Sequence, residues 1–223
     1  AGFGSVPPRQ LTFDCRQTWI YPSDESGPGA YALHGELLDS TLQARLRLDA
    51  PPASDPFIDG HLKYTEVIYW QQDYRQVPAF ALFRQSAAPA NAIGPLIPLD
   101  GPLTFLGAET GRHGDGQEVS TRWLVKAPPG DRPFSIMGHL TTEAGEQVGV
   151  ADGLGIHPAA MQPGDVVVQR HRFHQESKGK ATVFLTGAYW LDTLQRWPIT
   201  RSASETEGGT PEDVIRLPLA ELP

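Results

Sequence analysis

Residues 118–127 alternate strictly. Val119, Thr121, Trp123 and Val125 fall on one parity, and Glu118, Ser120, Arg122 and Lys126 on the other. A period of two with one apolar side is the pattern of a strand buried on one face. Similar runs follow at short intervals over 133–142, 148–156, 165–173 and 181–191, separated by turn formers such as Gly, Pro and Asp. Gly and Pro together supply 44 of the 223 residues, which favours short strands joined by turns over long helices. Strands of this length and spacing predict a β-sandwich. A last strand is expected in 213–222, where Pro218 confines it to an edge or an end.

The N-terminal part is also β-rich but less regular, with strand candidates at 11–22, 30–38, 42–50, 61–72 and 79–85. Segment 85–102, rich in Ala, Pro and Gly and nearly uncharged, separates the two parts. We therefore expect an all-β chain, with a smaller β-rich domain over 1–97 and an immunoglobulin-like sandwich over 98–223. Residues 158–162 and 210–215 are candidates for single helical turns.

Charge narrows the partners. The chain carries 7 basic against 10 acidic residues up to Ile97, and 11 against 16 beyond it. Neither part has the basic stripe that binds a phosphate backbone, so nucleic acid is not an expected partner. Cys15 is the single cysteine, which leaves no intrachain disulfide and no thiolate cluster. No run reaches the ~18–20 apolar residues of a membrane span. The chain opens at Ala1 without a charged segment leading into an apolar one, as expected of a processed protein or a piece of a longer one.

The local motifs speak against catalysis and metal. His171 and His174 lie three apart on a strand and point to opposite faces, so they cannot chelate one ion. His171 is expected to be partly buried with one hydrogen-bond partner. Residues 151–158 have a Gly-x-Gly look but lack the Lys-Ser/Thr or third Gly of a phosphate loop, so Asp152-Gly153 reads as a turn. Glu205, Glu207, Glu212 and Asp213 lack the alternation of a calcium loop. No nucleophile elbow is present, although a pair of catalytic carboxylates needs no local motif. We expect no metal and no cofactor.

The aromatics of 186–198 are the remaining candidates. If 165–191 is a hairpin whose opposed residues sum to 356, Val167, Gln169, His171 and Phe173 share the core face with Tyr189, Gly187, Leu185 and Val183. Trp190 then lies on the polar face with Arg170 and Arg172, because a one-residue slip would bury those arginines. Trp190, Trp197, Arg170 and Arg172 are the expected ligand contacts, through stacking and cation–π interaction. Trp123 is expected in the core, and the pattern does not orient Trp19 or Trp70.

Several elements taken together carry a resemblance: Leu106-Gly107, Trp123, His139-Leu140, Asp152-Gly153, Pro163-Gly164-Asp165, Gly187-Ala188-Tyr189 and Arg196-Trp197-Pro198. Over residues 101–216 the chain resembles the soluble β-sandwich beside the membrane-spanning part of bacterial multi-pass glycosyltransferase-like proteins. Those proteins follow the plan of dolichyl-phosphate-mannose-dependent protein mannosyltransferases. The resemblance implies that glycosyl transfer occurs in the membrane-embedded part, so no catalytic residue carries over onto this chain. It implies an extracytoplasmic, non-catalytic accessory region that recognises glycan, acceptor or an envelope protein, and meets a membrane only through a parent chain. The alternative is a secreted or cell-surface structural or adhesion module without a ligand pocket, and a third reading is a glycan-active enzyme.

Overall fold

The computed structural model describes residues 9, 11–23, 29–34, 65–66, 78–85, 93–174, 181–200 and 212–223. The strand candidate at 42–50, most of 61–72 with Trp70, and Glu205 and Glu207 lie outside them. The described strands are β1 (Thr18–Tyr21), β2 (Gly29–His34), β3 (Thr65–Glu66), β4 (Pro78–Gln85), β5 (Ile97–Pro98) and β6 (Leu103–His113). They continue with β7 (Gly116–Val125), β8 (Phe134–Thr141), β9 (Gln147–Val150), β10 (Val166–Phe173), β11 (Val183–Trp190) and β12 (Ile215–Pro218). Helix among the described residues is limited to two 3-10 turns, Pro158–Ala160 and Leu219–Glu221. No helix among them is long and apolar enough to cross a membrane.

The chain is all-β. Sheet I has the order β1-β10-β7-β6-β5 and sheet II the order β12-β11-β8-β9; β2, β4 and β3 form a third, three-stranded sheet. Every pairing among the described strands is antiparallel. Sheets I and II enclose one core. From sheet I it takes Val119, Trp123, Val125, Val167 and Phe173; from sheet II it takes Phe134, Ile136, Leu140, Phe184 and Ala188. The parity read in β7 is the one found. The chain leaves β7 through Pro128, Pro129 and Gly130 (φ +69), which end the ladder and turn the backbone toward sheet II. In β6 a register shift between Phe105 and Gly107 moves the core parity from Leu103 and Phe105 to Ala108. Gly107 (φ +131) permits this, since a Cβ there would lie 2.7 Å from the Gly94 nitrogen.

Two expectations are corrected. The division after Ile97 does not hold for the first strand: β1 is hydrogen-bonded to β10, and Ile20 lies in the sandwich core. Asp165, fully buried, fixes this segment by accepting from the Ser23 N–H (3.1 Å) and from Arg9 Nη1 (2.8 Å). Second, β10 and β11 are not a hairpin. β10 pairs with β7 and β1, and β11 with β8 and β12, so the two strands face each other across the core. The His171 and Phe184 rings meet there with centroids 5.4 Å apart.

His171 is more deeply placed than expected. It has no solvent exposure and two partners: Nδ1 donates to the Ala151 carbonyl (2.7 Å), and Nε2 accepts from the Thr121 hydroxyl (3.1 Å). The Trp123 indole N–H in turn donates to that hydroxyl at 2.8 Å. Burial holds the imidazole at a pKa of about 4, hence neutral, which fits the donor–acceptor sequence. Gly138 on β8 leaves room for the ring, since a Cβ there would sit 2.1 Å from Nδ1.

Candidate binding surface

The four expected contacts do not form one surface. Arg170 lies on the outer face of sheet I, is 5% exposed, and grips Glu118 with Nε and Nη2, both at 2.9 Å. Arg172 Nε reaches the same carboxylate at 3.0 Å. Trp19, Tyr21 and Val168 on that face are also buried, so it is not a solvent face. On β11 the predicted parity is reversed: Phe184, Thr186 and Ala188 are buried with Trp190 packed against the core, while Tyr189 turns outward. Trp197, 1% exposed, is also core. It packs on Phe134 (4.9 Å) and Trp190 (4.8 Å), in space that a side chain at Gly101 would fill.

Trp190 nevertheless has a cation over its ring. It is Arg132, from the β7–β8 connection, with its guanidinium carbon 4.2 Å from the ring centroid. Asp192 orients that guanidinium through two hydrogen bonds of 3.0 Å, to Arg132 Nε and Nη2. The backbone after β11 doubles back tightly. Leu194 N–H donates to the Trp190 carbonyl (2.8 Å), Trp190 N–H to Gln195 (3.0 Å), and Trp197 N–H to Ala188 (2.8 Å). The turn requires Leu194 at φ +56, a left-handed conformation that costs a leucine about 1–2 kcal/mol. Leu194 is also 71% exposed and Leu191 48%, so the strain brings no burial in return.

A second cluster lies on the outer face of sheet II. Asp152, just after β9, accepts from the Gly138 N–H (2.9 Å), the Tyr189 hydroxyl (3.0 Å) and His139 Nε2 (3.0 Å). A carboxylate only accepts, so the His139 proton sits on Nε2. Burial alone would raise the Asp152 carboxyl, but the hydrogen bonds from His139 and Gly138 outweigh it and hold it below the ordinary carboxylate range. Burial pushes the Tyr189 hydroxyl up, against a hydrogen bond from Ser135. Nothing in local spacing joins Arg132 to Trp190. His139, Asp152 and Tyr189 were all visible as elements of the resemblance, but only the fold brings them together.

Neither cluster has the arrangement of a hydrolytic site. Ser135 and His139 are four apart on one strand, hence ~13 Å, too far for a base to activate a nucleophile. Glu118, Asp152 and Asp165 are each engaged by donors from three residues, which is a structural use of a carboxylate. Cys15 is buried, and burial pushes its thiol up, away from the reactive thiolate. Among the described residues no three His, Cys, Asp or Glu side chains are placed to hold a metal ion. Compared with protein-family models, with curated proteins and with solved structures, the chain gives no match.

Proposed function

We propose that this chain is a non-catalytic, extracytoplasmic binding region of a glycosyltransferase-like membrane protein, built on an immunoglobulin-type sandwich. Strand order supports the sandwich type. β7 and β8 are consecutive but lie in different sheets, β10 lies beside β7, β11 beside β8, and β12 beside β11. This order supports an immunoglobulin plan, in which these strands would correspond to B, C, E, F and G. In this plan the β7–β8 connection and the turn after β11 are the B–C and F–G loops, which bind ligand in variable domains. They touch here through Arg132, Trp190 and Asp192.

One observation carries the reading: Leu194 is strained and exposed at once. Strain that returns no packing is kept where a surface has to be presented. The end of the sandwich is thereby read as the contact for a glycan or an acceptor chain. Glycan and acceptor-peptide arrays probed with wild type, Leu194→Gly and Leu191→Ser test it. The wild type should bind, and Leu194→Gly should lose binding while its fold gains about 1 kcal/mol from relief of the left-handed leucine.

A structural or adhesion module is the second reading. Arg132 favours it, since its guanidinium occupies the indole face that would stack on a sugar. Absence of binding to either array would decide for it.

A further inference from the structure

We infer that the outer face of sheet I is a docking face for the chain's own segment between β1 and β5, residues 24–92, with the third sheet as the layer in contact. Val168 on that face has no solvent exposure, and Trp19 and Tyr21 have 1% each. Glu118 and Ser120, on the central strand β7, have 2% and 4%. These residues alternate with Ile20, Val119, Trp123 and Val167, which fill the core on the other side. Side chains stand upright on a sheet, and on an open face their tips meet water. A valine with no exposure there lies under a second layer. Among the described residues, Phe13 and the Cys15 carbonyl reach the face from its β1 side, at Trp19 and Arg170. The centre over β7 needs another cover.

The path of the chain supplies it. Residue 23 stands at one edge of sheet I, where β1 is the edge strand and the Ser23 N–H donates to Asp165 at 3.1 Å. Residue 93 stands on the opposite side, where the Ile93 N–H donates to the Leu106 carbonyl of β6 at 3.0 Å. β10 and β7 lie between, so the segment has to travel ~14 Å across the sheet. The core fills the inner face, which leaves the outer one. The third sheet needs the contact too. Its third strand has only two residues, which leaves it close to a two-stranded ribbon, marginal in water without a surface to pack on. Charge agrees. Residues 24–92 carry 9 acidic against 5 basic side chains, whereas the face sets Arg122, Arg170 and Arg172 against Glu109 and Glu118. Arg122 Nε is buried without a hydrogen-bond partner among the described residues, so the face offers a donor to an acidic layer. Sheet I is then closed to any ligand, and residues 1–97 are not a domain apart.

The test places a photoreactive side chain on each outer face of the full chain. Glu109→p-benzoylphenylalanine and Arg172→p-benzoylphenylalanine put it at partly exposed positions of the sheet I face, and Tyr189→p-benzoylphenylalanine puts it on sheet II. Melting curves check each fold, and with two positions on sheet I one misfolded variant leaves the other to decide. Irradiation in dilute solution should give monomeric products from positions 109 and 172, with cross-linked peptides inside 24–92. Their yield should exceed that from position 189 at least several-fold. Products joining two chains would assign the face to a second copy and overturn the inference. Cross-links from 109 and 172 that miss residues 24–92, or equal yields from all three positions, would overturn it as well.

Discussion

The outer faces of the two sheets carry similar side chains and are used in opposite ways. On sheet I, Glu118, Ser120 and Arg170 are buried among Trp19, Tyr21 and Val168. On sheet II, His139 and Tyr189 stay half-buried at the surface, with Asp152 between them. Polarity along a strand therefore does not tell which face meets water. A carboxylate and a guanidinium that satisfy each other bidentately can be enclosed, whereas the His139–Asp152–Tyr189 cluster stays at the surface.

The difference should appear first in stability. Glu118→Ala leaves Arg170 and Arg172 without their shared carboxylate in an enclosed face, and should cost about 3–5 kcal/mol. Asp152→Asn, on the open face, should cost clearly less in the same urea denaturation series. Equal costs would mean that the two faces are not different environments.

A second effect belongs to the core between the faces. His171 is neutral in the fold with a pKa of about 4, against an ordinary value of about 6.5. Between those values the unfolded chain takes up a proton that the folded chain refuses, so stability rises with pH across the window. The contribution is complete above about pH 6.5 and is lost as pH falls toward 4, about 3 kcal/mol in all. Urea midpoints between pH 7.5 and 4.5 should show this slope, and His171→Gln should flatten it. A wild-type profile that is flat between pH 6.5 and 5 would contradict a buried neutral imidazole.

Smaller still is Tyr189→Phe. With its hydroxyl on a half-buried carboxylate, the change should cost about 1 kcal/mol, well below the ~3–5 kcal/mol of Trp197→Ala in the core. The two melting curves compare an outward aromatic with an inward one only a few residues apart.

Tyr189 also marks where the sequence misleads. In β7 the polar and apolar parities are clean, so the face of Trp123 could be read directly. In β11 both parities are apolar, Val183, Leu185 and Tyr189 on one and Phe184, Ala188 and Trp190 on the other. The strand cannot orient itself, and a neighbour has to decide. β10 is the neighbour in sequence, but the link between them crosses from sheet I to sheet II, and such a link imposes no register. Pairing β10 and β11 as one hairpin therefore assigns β11 the wrong parity, although the arginines do lie on the outer face of β10. β10 itself was legible: Val167, His171 and Phe173 face the core, and His174 is exposed on the other side. The placement of β1 was not, since Thr18–Tyr21 is buried on both faces and carries no alternation. The His139–Asp152–Tyr189 contact depends on β8, β9 and β11 lying side by side, which no local spacing encodes.

Tyr21 and Tyr189 allow the central contrast to be measured in the unmodified protein. Both are tyrosines on outer faces, one on the closed sheet and one on the open. Hydroxyl-radical footprinting read by mass spectrometry gives the oxidation rate of each ring in the folded state. Tyr189 should be oxidised at least several-fold faster than Tyr21, and the two should converge in denaturant. Equal rates in the folded protein, or a faster Tyr21, would contradict one closed face and one open face.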